Sequence, residues 1–267
     1  MVTDPAAPPQ EPGAPPEQTS AAPVAPVAPV SRPPTTLAAR LVALVEVLLC
    51  SGFPTQLALI LLFGAAGWTP ADEAGRLSAT YVLALTLLDA ALVVGLTVLF
   101  LTRDGESPRS VFFGRRWPVV EARLGVLLVP IMFVGIVLVI GSLRVWVPSL
   151  HNVERNPLQD LLAGPWRAAV FMTLVVVAGG VREEVQRAFI LHRFDRYLGG
   201  GGVGLVLFSL AFGAGHLDQG RDVAVATACL GLFWGWLYLR RRSIVAPLVN
   251  HVGFNLGQAA QFLMLRA

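Results

Sequence analysis

The stretch that decides the fold is Trp166–Tyr197, which reads WRAAVFMTLVVVAGGVREEVQRAFILHRFDRY. Its first half is a run of Val, Ala, Leu and Met that suits the hydrocarbon core of a bilayer. Four charged residues interrupt the run within six positions: Arg182, Glu183, Glu184 and Arg187. One charged side chain at the centre of a membrane helix costs about 2.5–3.5 kcal/mol on insertion scales. Such a cluster indicates a functional site, and the structural alternative is an ion pair that locks two spans together.

The composition places the whole chain among helical membrane proteins. Of its 267 residues, 55% are hydrophobic and 14% are charged, whereas an ordinary soluble domain carries about 25% charged residues. Backbone polar groups inside lipid need internal partners, which leaves helices or a closed barrel. The apolar runs are too long and continuous for the alternating strands of a barrel. We therefore predict an all-α fold, a polytopic membrane bundle of about seven to eight transmembrane helices.

The N-terminal segment differs from the rest of the chain. Residues 1–36 hold 11 of the 20 prolines and include the repeat APVAPVAPV. Such a segment cannot bury enough apolar surface to fold, so we predict a disordered Pro/Ala-rich tail. Residues 37–267 form the predicted transmembrane domain, and its polar motifs lie within residues 168–263.

Seven apolar segments divide the transmembrane domain. We predict spans over residues 41–67 (with a kink at 51–54), 78–101, 124–143, 166–196, 203–216, 223–239 and 244–264. Residues 144–165 are predicted to form an extra-membrane loop with a short interfacial helix that bears Trp146. With the N-terminus in the cytoplasm, 12 of the 20 arginines lie inside, six outside and two in the membrane. This distribution agrees with the positive-inside rule, so the basic excess needs no nucleic-acid partner.

Two of the four histidines lie in apolar segments, each four residues from another candidate site residue. His216 closes the sequence Phe212-Gly-Ala-Gly-His216, and His251 opens His251-Val-Gly-Phe-Asn255. A single histidine in a helix is more often a packing residue. Here three polar insertions lie in three separate spans beside small residues, which favours a shared cavity. Carboxylates, imidazoles and an amide can together deprotonate a water and stabilise an oxyanion.

The order of these motifs resembles the CPBP family, the CAAX-protease and bacteriocin-processing (Abi-type) membrane proteins. The resemblance covers residues 168–263. It implies an intramembrane endopeptidase, related to the type II CAAX prenyl endopeptidases. Such an enzyme hydrolyses a peptide bond of a membrane-associated substrate, using water activated by glutamate and histidine.

The resemblance also implies roles for individual residues. The implied catalytic residues are Glu183, Glu184, His216, His251 and Asn255, with Arg187 and Phe212 in support. In that family the glutamate and the histidine of the second motif activate water, and the third motif holds the substrate carbonyl or its oxyanion. Many members are described as metalloproteases, so a divalent metal such as zinc is a candidate cofactor. Its candidate ligands are Glu183, His216 and His251.

The first motif departs from the family pattern E-E-x-x-x-R-G. Only two residues separate Glu184 from Arg187, and Ala188 stands in place of the glycine. If the glutamates are aligned, Glu183 takes the first, catalytic position. If Arg187 is aligned, Arg182 takes that position and Glu183 takes the second. We predict that Glu183 is the catalytic carboxylate, because it is a motif residue in both registers. Helix geometry leaves an alternative, in which Glu183 pairs with Arg187 and Glu184 faces the water.

Three other readings compete with a membrane protease. The altered first motif favours a non-catalytic member of the same fold, acting as an immunity or scaffold protein. A transporter could use the two glutamates as a proton relay, but the two halves of the chain show no inverted repeat. A soluble-type zinc protease lacks the H-E-x-x-H motif that it needs. We predict an integral protein of a prokaryotic cell membrane with a cytoplasmic N-terminus, whose partners are the lipid bilayer and a peptide or protein substrate.

Overall fold

The fold is helical throughout the described part of the chain. The computed structural model describes residues 36–72, 75–154 and 164–264. Within these ranges, helices alternate with short turns and one isolated β-bridge between Ala71 and Leu77. The prediction of an all-α bundle is confirmed. The predicted tail lies outside the described residues except for Thr36, which caps the first helix.

The chain begins with two short helices that are bent against each other. Helix α1 spans Leu37–Leu49 and α2 spans Phe53–Ala65, with an angle of 46° between them. Gly52 begins α2 at φ 85°, a left-handed conformation that glycine adopts without steric penalty. A side chain at Gly52 would collide with the guanidinium of Arg182, so the turn also needs glycine for close packing. The predicted kink in the first span is confirmed.

Helices α3, α4 and α5 follow. Helix α3 spans Ala79–Arg103, the short α4 spans Pro108–Phe112, and α5 spans Pro118–Trp146. Helix α5 is longer at both ends than the predicted span 124–143. The proline at its first position is preorganised for a helix start, which brings Arg123 into the helix. The separate interfacial helix predicted for Trp146 is wrong, because this residue ends α5.

The stretch Trp166–Tyr197 forms three consecutive helical segments. Helix α6 spans Pro165–Leu174, a π-helical segment spans Val175–Arg182, and α7 spans Glu183–Tyr197. A π-helix is rare and appears frequently at functional sites. Here it places the change of helical geometry directly before the two glutamates.

Three further helices complete the described chain. Helix α8 spans Gly201–Ala214, α9 spans Arg221–Arg241 and α10 spans Val245–Met264. A 3₁₀ turn at Leu217–Gln219 joins α8 to α9. Each helix agrees with a predicted span to within a few residues.

Only some of the predicted spans form a helix that is apolar and long enough to be recognised as membrane-spanning by itself. By length and composition, α3, α5 and α9 could each cross a membrane, and the bent pair α1–α2 makes a fourth candidate among the described residues. Helix α8 is apolar but shorter. The most apolar part of α5, with a mean hydropathy of 2.9, is only 11% buried, as expected for a helix that faces lipid. The count of seven spans stays a prediction, because α10 and the α6–α7 stretch are interrupted by polar residues.

Helix α7 lies at the centre of the bundle. Its residues 184–191 and Arg193 are buried, although many of them are polar or charged. The apolar side chains of α7 pack into one cluster with residues of α1, α3, α4 and α9. A second cluster joins α5, α9 and α10 around Trp234 and Phe254. The charged helix is therefore the element against which the more apolar helices pack.

The end of α7 carries a network of ion pairs. The fully buried Arg193 lies 2.7 Å from Glu46 of α1, 2.9 Å from Asp104 and 2.8 Å from Glu106. Burial raises the pKa of Glu106, but the hydrogen bond to His192 and the nearby positive charges outweigh this effect. Its pKa therefore lies below the ordinary value. The network connects α7 to α1 and to the loop between α3 and α4.

We expect Arg193→Met to destabilise the protein by about 3–5 kcal/mol, because it leaves three carboxylates without their shared buried counter-charge. The matched control is Arg196→Met, since Arg196 is 52% exposed and pairs with Glu106. Loss of an exposed pair should cost about 0–1 kcal/mol. Thermal unfolding in detergent measures both variants. Equal melting temperatures for the two variants would contradict the structural role of Arg193.

Candidate active site

Four of the predicted site residues line one cavity inside the bundle. The cavity has a volume of about 560 Å³, and its walls include Glu183, His216, His251 and Asn255. Phe212 also contributes to the wall. The predicted convergence of the three polar insertions is confirmed.

Glu184 lies behind the cavity wall. Its carboxylate forms a buried ion pair with Arg187 and contacts Nδ1 of His251 at 2.9 Å. An ionised carboxylate only accepts hydrogen bonds, so Nδ1 of His251 is the donor. The other ring nitrogen, Nε2, is left to face Glu183. Glu184 therefore fixes the orientation of the imidazole.

Arg187 is fully buried among aromatic rings. Its guanidinium carbon lies 5.6 Å from the ring centre of Phe208, 4.9 Å from that of Phe212 and 5.4 Å from that of Trp234. Cation–π contacts of this kind are strongest where water is excluded. The guanidinium thus balances the charge of Glu184 and occupies an aromatic pocket formed by α8 and α9.

Glu183 lies at the cavity wall and is less buried than Glu184. Its side chain is 15% exposed, and Oε2 lies 3.7 Å from Nε2 of His251. This distance is too long for a hydrogen bond, but a water molecule could bridge the two atoms. Of the two arrangements left open by the sequence, the structure has Glu184 paired with Arg187 and Glu183 at the cavity.

Arg182 turns away from the cavity. It forms an ion pair of 2.8 Å with Asp89 of α3. Asp89 also accepts hydrogen bonds from Thr55 and Gln56 of α2. The arginine that would occupy the first glutamate position in one alignment therefore tethers the π-helical segment to α2 and α3, and the alignment on the glutamates fits the cavity better.

The imidazole of His251 is held by two residues that the sequence analysis missed. The Trp234 indole stacks on it with ring centres 3.6 Å apart and 17° between the planes. The indole Nε1 donates to Asn250 Oδ1 at 2.8 Å, and Asn250 Nδ2 donates to the Gly125 carbonyl at 3.1 Å. An asparagine directly before a motif histidine in an apolar helix was the available signal. Trp234 gave none, since a tryptophan in an apolar helix usually reads as core.

His216 lies beside Phe212 in the cavity wall. Its Nδ1 contacts the Phe212 carbonyl oxygen at 2.8 Å. A carbonyl oxygen only accepts, so Nδ1 is the donor and Nε2 remains available. The Phe212 ring lies 5.0 Å from the His216 ring and 6.4 Å from the His251 ring, measured between centres. The phenyl group is therefore a neighbour of both imidazoles.

Gly179 of the π-helical segment brings the Asn255 amide close to the site. A Cβ atom at Gly179 would lie 2.8 Å from Asn255 Nδ2 and 3.8 Å from His251 Nε2. Only glycine leaves room for α10 at this distance. The carboxamide and the imidazole of α10 thus meet the backbone of the π-helical segment.

The metal ligands implied by the resemblance do not form a complete set. Among the described residues, no group of three or more His, Cys, Asp and Glu side chains lies close enough to hold a metal ion. His251 is committed through Nδ1 to Glu184, and His216 is committed through Nδ1 to the Phe212 carbonyl. Glu183, His216 and His251 therefore do not fit a bound ion in this arrangement. The need for a metal stays a prediction.

An acid, two imidazoles and a carboxamide line one cavity inside a helical bundle whose apolar helices could span a membrane. Residues 165–257 match the sequence model of a family described as type II CAAX prenyl endopeptidase Rce1-like. The match covers 93 of the 267 residues and supports the assignment of this region to the CPBP and CAAX-protease family, which is a protease family. Comparison with curated protein sequences and with solved structures finds no match.

We expect Gly179→Ala to destabilise the protein by about 1–3 kcal/mol, because the added methyl group overpacks the contact with Asn255. The matched control is Gly135→Ala in the middle of α5, where a Cβ atom has no described neighbour within 4 Å. Thermal unfolding in detergent should show a lower melting temperature for the first variant only. A Gly179→Ala variant as stable as the control would show that α10 does not pack tightly here.

Proposed function

We propose that this protein is an intramembrane endopeptidase that hydrolyses a peptide bond of a membrane-associated peptide or protein substrate. The observation that carries the proposal is that the two glutamates lie in different environments. Glu184 is buried and orients His251, whereas Glu183 lies at the cavity beside the free nitrogen of the same imidazole. A carboxylate at a cavity wall, next to an oriented imidazole, suits the activation of a water molecule.

The first step is the attack of water on the substrate carbonyl. Glu183 takes a proton from the water while Nε2 of His251 accepts a hydrogen bond from the same molecule, and the water oxygen forms a bond to the carbonyl carbon. The electron pair of the carbonyl double bond moves to its oxygen. Asn255 has an N–H group at this wall of the cavity and donates to the oxyanion.

The second step is the collapse of the tetrahedral intermediate. The bond between carbon and nitrogen breaks, and the proton held by Glu183 passes to the leaving amine. One product carries the new carboxyl group and the other carries the amine. His216 binds the substrate or the water through Nε2, which its contact with the Phe212 carbonyl leaves available. No step in this sequence passes through a metal ion.

The aromatic and buried residues maintain the geometry of these steps. Trp234 and Asn250 keep the plane of the His251 ring, and Arg187 holds Glu184 in place. A polar site surrounded by apolar walls strengthens electrostatic interactions, because little water screens them. Apolar residues of α5, α6 and α9 form these walls.

The two glutamates should respond differently to removal of their charge. We expect Glu183→Gln to lower the rate of peptide cleavage by about 10²–10⁴-fold, the usual contribution of a general base, with little effect on stability. Glu184→Gln should destabilise the protein by about 3–5 kcal/mol, because Arg187 is left as an uncompensated buried charge.

The measurement combines cleavage of a fluorescence-quenched reporter peptide with thermal unfolding, both in membrane-inserted or detergent-solubilised protein. Normal cleavage by a folded Glu183→Gln variant would contradict its role as the base. If the unmodified protein cleaves no peptide, the non-catalytic scaffold or immunity protein becomes the better interpretation.

The need for a metal has a direct test in the same assay. The geometry of the described residues favours cleavage that survives prolonged dialysis against a chelator, since the three implied ligands do not meet. The control is the Glu183→Gln variant treated in the same way. Cleavage that disappears on dialysis and returns with zinc would contradict this expectation and show that a metal ion is required.

A further inference from the structure

Ten of the arginines lie at one end of the bundle, which we call the arginine face. They are Arg103, Arg109, Arg115, Arg116, Arg123, Arg193, Arg196, Arg240, Arg241 and Arg242. Contacts across the helices show that these ends lie together. Arg116 donates to the carbonyl of Arg241, and Arg193 pairs with Asp104. Arg242 pairs with Asp195 at the end of α7.

The opposite end of the described bundle has four arginines: Arg76, Arg144, Arg167 and Arg221. Three of them pair with aspartates, two with Asp72 and one with Asp222. Cytoplasmic segments of membrane proteins carry the excess of arginine, and this bias sets the orientation of the chain. Ten arginines against four make the arginine face the cytoplasmic side.

The cavity runs away from the arginine face. Along α9 its lining extends from Trp234 to Val223, a distance of about 16 Å at the rise of an α-helix. Along α10 it extends from His251 to Gln261, about 15 Å. Both paths end close to the helix ends that lie opposite the arginine face. Gln219, in the turn between α8 and α9, also lines the cavity at this end.

The route from the site to the arginine face is closed by packed side chains. Ala188, Phe189, Ile190 and Leu191 of α7 are each at most 2% exposed. Tyr238 of α9 and Ala246 of α10 are buried to the same degree. Interiors packed in this way have few voids larger than a water molecule. A peptide could not pass this layer without unfolding it.

The end of the cavity opposite the arginine face has a polar wall on α10. Asn255, Gln258 and Gln261 follow one another at intervals of three residues, so they share one helix face and all line the cavity. Gln258 and Gln261 are exposed, and neither side chain has a hydrogen-bond partner among the described residues. Carboxamides both donate and accept, as the main chain of a peptide requires. This wall therefore suits an extended peptide that leads to the site.

We infer that the site receives its substrate from the membrane side opposite the arginine face, which is the non-cytoplasmic side. The inference rests on the proposed function only for the nature of the substrate as a peptide. It narrows the substrate class to segments exposed at the outer membrane surface, such as the ends of exported or membrane-anchored proteins. Cytoplasmic chain ends belong to a different class.

Cysteine labelling tests the inference without any need for activity. In a Cys229→Ala background, which leaves only the buried Cys50, Gln261→Cys reports on the end of the cavity opposite the arginine face. Arg115→Cys is the matched control on the arginine face, where the side chain is also exposed. A membrane-impermeant maleimide is added to intact cells and to inverted vesicles. We expect Gln261→Cys to react in cells and Arg115→Cys to react in inverted vesicles.

Three labelling outcomes would overturn the inference. Reaction of both cysteines from the same side would place the opening on the arginine face. Reaction of Gln261→Cys from neither side would mean that the cavity opens to lipid alone. Reaction of Arg115→Cys in intact cells would show that the arginine face is not cytoplasmic.

Labelling can also be combined with cleavage. In Gln258→Cys, modification by a bulky impermeant maleimide should abolish cleavage of the reporter peptide when both are added at the non-cytoplasmic side, and modification of Arg115→Cys from the cytoplasmic side should not. Persistent cleavage after complete modification of Gln258→Cys would contradict the proposed route. Absence of cleavage in the unmodified protein would contradict the proposed function, while the labelling pattern would still decide the direction of the cavity.

Discussion

The buried ion pair between Glu184 and Arg187 is the contact on which the rest of the structure depends. Both side chains are at most 1% exposed, so each has lost its hydration. Desolvation of this kind costs several kcal/mol per ion and is offset only by well-placed neighbours. Those neighbours are His251 of α10, the phenyl rings of α8 and the Trp234 indole of α9. Because the pair needs all of them, it holds four helices in one arrangement.

Two other arginines of the central stretch also form ion pairs with acidic residues of other helices and loops. Arg182 pairs with Asp89 of α3, and Arg193 pairs with Glu46 of α1 and with the loop after α3. Each arginine has an acidic partner from a different part of the chain. A shift of the central stretch by one residue would leave these charges without partners inside an apolar bundle. Electrostatic pairing therefore fixes the register of apolar helices that could otherwise slide past one another.

The sequence predicts much of this fold because its signals are local. Apolar runs and their polar interruptions locate the helices, and the isolation of His216, His251 and the glutamates in apolar segments predicts their convergence. The π-helical segment has no comparable signal, since Gly179 and Gly180 alone do not distinguish it from an α-helix. The turn of Arg182 toward Asp89 and the stacking of Trp234 on His251 depend on contacts between distant helices. Such contacts cannot be read from the spacing within one helix.

The altered first motif illustrates the same limit. At about 100° per residue, Glu183 lies about 40° from Arg187 around the helix axis and Glu184 about 60° on the other side. Both carboxylates can reach the guanidinium, so the spacing alone does not assign their roles. The assignment comes from α10, because Nδ1 of His251 binds Glu184 and the ring is held in place by Trp234. Once Glu184 is held on this side, Glu183 is left at the cavity. A motif that is one residue shorter can therefore present the same chemical groups, provided that contacts with the partner helix decide which glutamate faces the cavity.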